Sequence, residues 1–239
     1  MTEFKGYGQF CPVAVAAEVI AARWTPLVIR SMICGAHRFN DIQSSVPRMS
    51  SALLSRRLKE LEHAGVITRE PARSGRGHEY FLTDSGHEVL PILEAMGVWA
   101  QKWLRRDIVE DRNLDPDIFF WELRRFALSK GYRVARRKVV EFRLLGLPAN
   151  RRFFWLVFEP DDSVDVCLKD PGYEVDLWVT AALRTLVEVW LGHRPLAGAL
   201  EDDSLRLDGN RPDIQDFRSW FVRSRFAPAG ELPPAEAAE

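Results

Sequence analysis

Apolar positions recur at helical spacing through the first hundred residues and at strand spacing through much of the second half. Cys11–Ala22 (CPVAVAAEVIAA) is dense in Ala and Val and predicts a helix with Pro12 in its first turn. Thr25-Pro26 has the form of an N-cap and a first-position proline, opening a helix through Leu27, Val28, Ile29 and Ile33 that Gly35 closes. Arg38–Val46 sets Phe39, Ile42 and Val46 at i, i+3 and i+7, and Pro47 stops it. Ser50 caps a longer helix with Leu54, Leu58 and Leu61 on one stripe, ended by Gly65. Val66–Pro71 and His78–Thr83 are strand-like, and glycines between them permit a turn. Thr83-Asp84 then caps a helix reaching about Arg106, with a kink expected near Pro91.

The texture changes after the polar stretch Asp107–Asp115. Asp115-Pro116 starts an aromatic-rich helix, Ile118–Leu128, followed by four strand candidates: Lys138–Leu145, Arg152–Phe158, Val164–Leu168 and Glu174–Thr180. In the first of these Val140, Phe142 and Leu144 alternate with Glu141 and Arg143, as in a half-buried strand. Thr180–Leu191 and Pro212–Val222 read as helices, and the Pro/Ala/Glu-rich residues from Ala227 predict a disordered tail. The expected organisation is α+β: a domain over residues 1–106, a linker over 107–116, a second domain over 117–226 and a tail over 227–239.

Composition narrows the function classes. The 239 residues are 46% hydrophobic and 28% charged, with a net charge of −1 that advertises no nucleic acid. The distribution is less even. Between Arg48 and His78 seven basic residues face three acids, and from Glu159 to Asp176 seven acids face only Lys169. A local basic patch attracts phosphate even on a near-neutral molecule. Three scattered cysteines fit neither a disulfide framework nor a zinc site. Without a signal segment or a long apolar run, a soluble cytoplasmic protein that does not engage membranes is expected. No Gly-rich phosphate loop, His-x-x-x-His pair or Gly-x-Ser-x-Gly elbow is present, so no enzyme, cofactor or metal is expected.

Two helices joined by a tight turn and followed at once by a hairpin are the parts of a winged helix-turn-helix, whose second helix enters the DNA major groove. With Leu54, Leu58 and Leu61 turned inward, Ala52, Arg56 and Lys59 lie opposite, flanked by Ser55. Arg56 is the candidate for a base edge, since guanidinium pairs bidentately with guanine. Arg38, Ser50, Ser51, Arg57 and Lys59 join it as DNA-binding candidates, and Arg73 and Arg76 at the hairpin tip are candidates for backbone or minor-groove contact. The alternative is a solvated basic helix face, but the hairpin arginines directly behind it favour DNA.

Cys11-Pro12, Arg23-Trp24-Thr25, Arg38-Phe39, the run Leu54, Leu58, Leu61-Glu62, Gly65, and Glu79-Tyr80 with Leu82-Thr83 and Gly86 together resemble the HxlR-type winged-helix regulators over about residues 8–105. The resemblance implies a homodimer on a pseudo-palindromic operator in double-stranded DNA. This chain departs from the family in the wing, where Arg73-Ser74-Gly75-Arg76-Gly77-His78 replaces a tyrosine and proline ahead of the Glu-Tyr pair, and in Ala22-Arg23, where Gly-Lys is frequent. Trp99 and Trp103, four residues apart on an apolar stripe, and Val13 and Ala17 near the amino terminus are the dimerisation candidates, with burial inside one subunit as the alternative. Some regulators of this kind sense oxidants through an amino-terminal Cys-Pro cysteine, which makes Cys11 a redox candidate. The other reading of Cys11 is a small apolar helix residue, and Cys34 and Cys167 read as packing residues.

Residues 138–222 resemble the fold of sterol carrier proteins through Trp155-Leu156-Val157-Phe158, Asp170-Pro171-Gly172, Leu177-Trp178-Val179, Val189-Trp190-Leu191-Gly192 and Leu207-Asp208-Gly209. That resemblance implies a sheet covered by helices around an apolar cavity. Phe142, Phe154, Leu156, Trp178 and Trp190 are the candidates to line it and to hold a small hydrophobic ligand, although a filled core calls for the same side chains. The leading expectation is a DNA-binding regulator controlled by such a ligand. The alternatives are a lipid or small-molecule carrier that does not act on DNA, and a thiol-based redox regulator through Cys11.

Overall fold

The computed structural model describes residues 6–72, 77–129, 132–221 and 223–231. The chain forms two compact units, Met1–Met96 and Gly97–Glu239. The division falls inside a helix, ten residues before the expected boundary at 106.

In the first unit α1 (Pro12–Ile20), α2 (Thr25–Ile33), α3 (Phe39–Ser45) and α4 (Ser51–His63) lead into a hairpin of β1 (Ile67–Pro71) and β2 (His78–Leu82), then α5 (Asp84–His87) and α6 (Leu90–Trp103). Val28, Ile29, Ile42, Leu54, Leu58, Leu61 and Ile67 form the buried centre. Thr25 does not cap α2. Trp24 takes the N-cap position in the left-handed region at φ 77, and Thr25 is buried as the first helical residue. The long helix expected from Thr83 is interrupted, because Pro91 lacks an N–H and its ring would meet the carbonyl four residues back, that of His87. The first segment ends at His87, and Pro91 sits in the first turn of the next helix.

The second unit holds the end of α6, then α7 (Arg105–Ile108), α8 (Pro116–Ser129), β3 (Lys138–Leu145), β4 (Phe153–Phe158), β5 (Val164–Cys167), β6 (Leu177–Ala182), α9 (Leu183–Trp190), α10 (Leu196–Glu201), β7 (Leu205–Gly209), α11 (Arg211–Trp220) and α12 (Ala227–Gly230). The five strands form one sheet in the order β5-β4-β3-β6-β7; β3 and β6 are parallel and every other pair is antiparallel. One face carries Val140, Phe142, Leu144, Phe154, Leu156, Leu177 and Val179 and packs with apolar residues of α8, α9 and α11. The segment expected to link two domains belongs to this unit: Val109 is buried, and Asp111 accepts from Arg184 at 2.7 Å. The disordered tail expected from Ala227 is likewise corrected at its start. Ala227 and Gly230 are buried in α12, and a Cβ on Gly230 would stand 2.1 Å from the Leu191 carbonyl oxygen.

Candidate nucleic-acid interface

Gln43 fixes the turn between α3 and α4. Its amide donates to the carbonyls of Met49 at 2.7 Å and Val46 at 3.4 Å, closing a turn in which Val46 and Met49 are buried. Sequence reasoning missed this clamp, since a glutamine on a short helix looks like surface. Ser50 then caps α4, its hydroxyl accepting from the Leu53 N–H at 3.3 Å. That cap occupies the Ser50 side chain in positioning the helix.

The two faces of α4 divide cleanly. Leu54, Leu58 and Leu61 are buried, while Ser51, Ala52, Ser55, Arg56 and Lys59 are exposed. Arg56 is 66% exposed and, among the described residues, pairs with Glu60 alone, one turn on, at 3.2 Å. Arg57 differs: its side chain is 17% exposed, it also pairs with Glu60, and its Nε is buried without a partner among the described residues. Arg57 therefore lies along the flank of the helix. The i,i+3 and i,i+4 spacing to Glu60 was legible in the sequence and sets both arginines.

The hairpin stands beside this helix. Ile67↔Leu82 through Pro71↔His78 pair in antiparallel register, and the short bridge Arg38↔Glu79 with the Tyr80 N–H donating to the His37 carbonyl at 2.8 Å adds a third edge. Arg38 is thereby tied to the wing, its Nε 3.1 Å from Glu79. Thr83 locks the base of the hairpin, donating to the Gly65 carbonyl at 2.7 Å and accepting from Gly86 N–H at 3.2 Å. Arg73 and Arg76 lie outside the described residues.

A model of the HxlR-like helix-turn-helix matches residues 19–108. Over 102 residues the chain is 36% identical to YvaP of Bacillus subtilis (strain 168), an uncharacterized HTH-type transcriptional regulator, spanning 40% of this chain and 91% of that protein. The chain belongs to the HxlR-like helix-turn-helix family. A second relative in Methanothermobacter thermautotrophicus, again an uncharacterized HTH-type transcriptional regulator, is 37% identical over 98 residues, covering 39% of this chain and 72% of its own length. The solved structure of the redox regulator HypR in its oxidized form is 33% identical, covers 38% of this chain and 95% of that one, and has a TM-score of 0.36. This HxlR-like protein is thus a transcriptional regulator of the helix-turn-helix type, and both relatives are described as HTH-type transcriptional regulators.

The remaining candidates fall in different places. Val13, Trp99 and Trp103 are exposed, and Ala17 is half-buried. Cys11 is half-buried at the start of α1; Cys34, expected to pack, is exposed; Cys167 packs beside Val139, Trp155 and Val157, where burial pushes its thiol up. The five residues expected to line an apolar cavity do not share one. Phe142, Phe154, Leu156 and Trp190 belong to the packed core, with Phe120 stacked on Phe154 at 4.3 Å and meeting Phe142 edge-on at 4.8 Å. Trp178 pairs in register with Glu141 and stands on the opposite face of the sheet, beneath the Arg143 guanidinium.

Proposed function

We propose that this chain is a homodimeric, cytoplasmic, sequence-specific regulator that sets α4 into the major groove of a pseudo-palindromic operator and takes a small ligand in its second unit. The observation that carries the reading is the division of α4, with three leucines buried and Arg56, Lys59, Ser51, Ala52 and Ser55 turned to solvent. Such a helix presents about two turns of polar side chains to a groove about 12 Å wide. Phosphate contacts are assigned to Arg73 and Arg76, which the sequence places between the two strands of the adjacent hairpin. The exposed Trp99 and Trp103 support self-association, which would set two copies of α4 about 34 Å apart, one turn of DNA. A mixed sheet with helices on one face supports the likeness of the second unit to sterol carrier proteins, although its aromatic core is packed.

The test is binding of the full chain to promoter fragments recovered by genomic footprinting, measured at a series of salt concentrations. With six phosphate contacts, log K should fall against log salt with a slope of about −5. A slope near zero, or equal affinity for footprinted and scrambled DNA, would remove the reading.

A further inference from the structure

The second unit has a concave feature that its packed core does not use. A cavity of about 390 Å³ opens between the segment leading into β3 and the first turns of α11. Its floor is charged. Lys138 Nζ lies 2.7 Å from Asp213 Oδ1 and 2.6 Å from Asp216 Oδ2, and the Tyr132 hydroxyl donates to the same Asp216 oxygen at 3.2 Å. Lys138 is thereby held between the two carboxylates, with the Tyr132 hydroxyl beside it. Asp216 receives both its donors on Oδ2 and is 44% exposed, so its other oxygen can accept. Asp213, whose side chain is 5% exposed, has an oxygen with no hydrogen-bond partner among the described residues. A buried carboxylate oxygen without a donor is costly, and Asp213 is part of this lining.

The rim has the opposite character. Arg133 and Arg136 are 79% and 68% exposed, and each holds a single carboxylate among the described residues, Asp162 at 3.3 Å and Asp176 at 2.6 Å. A guanidinium has five donors and an exposed pair contributes little, so both can take a second anion. Val134, Ala135 and Pro212 are the apolar residues of the lining. The lining thus offers two exposed guanidinium groups and an accessible, donor-poor oxygen of Asp216, with room for a few carbon atoms.

We infer that this cavity binds a small carboxylic acid that also carries a hydrogen-bond donor, a hydroxy acid or an amino acid, with its carboxylate on Arg133 and Arg136 and its donor on Asp216. The binding stands on the geometry of the second unit; only its consequence for DNA rests on the reading of that unit as the ligand-sensing part.

Titration calorimetry of the full chain with lactate, alanine, propionate and ethylamine separates the two ligand sources from the single-group controls. Lactate or alanine should bind about tenfold or more tightly than either control. Arg136→Gln on the exposed rim and Asp216→Asn, which keeps an acceptor for Tyr132, should each weaken that binding by about tenfold or more with an unchanged thermal melt. No heat from lactate or alanine at millimolar concentration, or wild-type affinity in both variants, overturns the site. Binding that leaves operator affinity unchanged keeps the site and removes the sensing role.

Discussion

Arg56 suits a DNA contact because it is weakly held. Its ion pair to Glu60 is exposed on both sides, and such i,i+4 pairs contribute only about 0.3–0.5 kcal/mol. Exchanging Glu60 for a guanine edge therefore costs little, whereas Arg57, drawn against the helix flank, has no such freedom. Arg56→Ala should weaken operator binding by about 1–3 kcal/mol and relax preference at one base pair. Equal loss on specific and scrambled DNA, read by fluorescence anisotropy, would make Arg56 a phosphate contact. His193 is held the opposite way. Gln101 donates to the Leu191 carbonyl at 3.2 Å, so its amide oxygen faces His193 and accepts from Nε2–H at 2.5 Å. Burial, with the Arg105 charge beside it, pushes His193 down from 6.5 to about 4. The unfolded chain then binds a proton that the folded chain refuses, so this contribution is complete above pH 6.5 and is lost as pH falls toward 4. Calorimetric melts should show a drop in Tm across that window, and His193→Gln, which keeps a donor, should show a smaller one.

At the scale of elements, what was legible is what period and capping control. The three leucines of α4, its Ser50 cap and the alternation of β3 are local patterns with one solution each. What escaped needed tertiary partners. Trp24 displaces Thr25 as the start of α2, and β7 hides because Arg206 and Asp208 interrupt its apolar residues. The apolar lining failed for a related reason. Alternation tells which side chains face inward, but not whether the space they face is empty, and Phe120 fills it. A strand expected to begin three residues early also leaves the face of Trp178 unassigned, since β6 runs Leu177–Ala182. Gly86 tests this scale directly. Propensity alone favours Gly→Ala within a helix by about 1 kcal/mol. Here the added Cβ would stand 2.2 Å from the Val66 carbonyl oxygen, which is backbone at the base of the hairpin and cannot swing aside. Gly86→Ala should instead destabilise the first unit by about 1–3 kcal/mol in denaturant melts; a stabilised variant would show that the hairpin base yields freely.

At the scale of the whole molecule, the apolar side chains left in water weigh more than the net charge. Trp99 and Trp103 are 55% and 45% exposed on successive turns of α6, and Val98 beside them is 47% exposed. Burying each large apolar side chain fully contributes about 1.5–3 kcal/mol, which is the stabilisation the proposed dimer would draw from this stripe. Because these side chains lie outside the single-chain cores, charging them should separate assembly from folding. Trp99→Glu combined with Trp103→Glu is expected to sediment as a monomer with an unchanged thermal melt. Its affinity for a full operator should fall to that for an isolated half-site, because one copy of α4 reads only one half of a two-fold sequence. A variant that stays dimeric would move the interface elsewhere. One that becomes monomeric yet binds the intact operator as tightly as the parent would mean that a single winged helix suffices, and that the tryptophans serve another purpose.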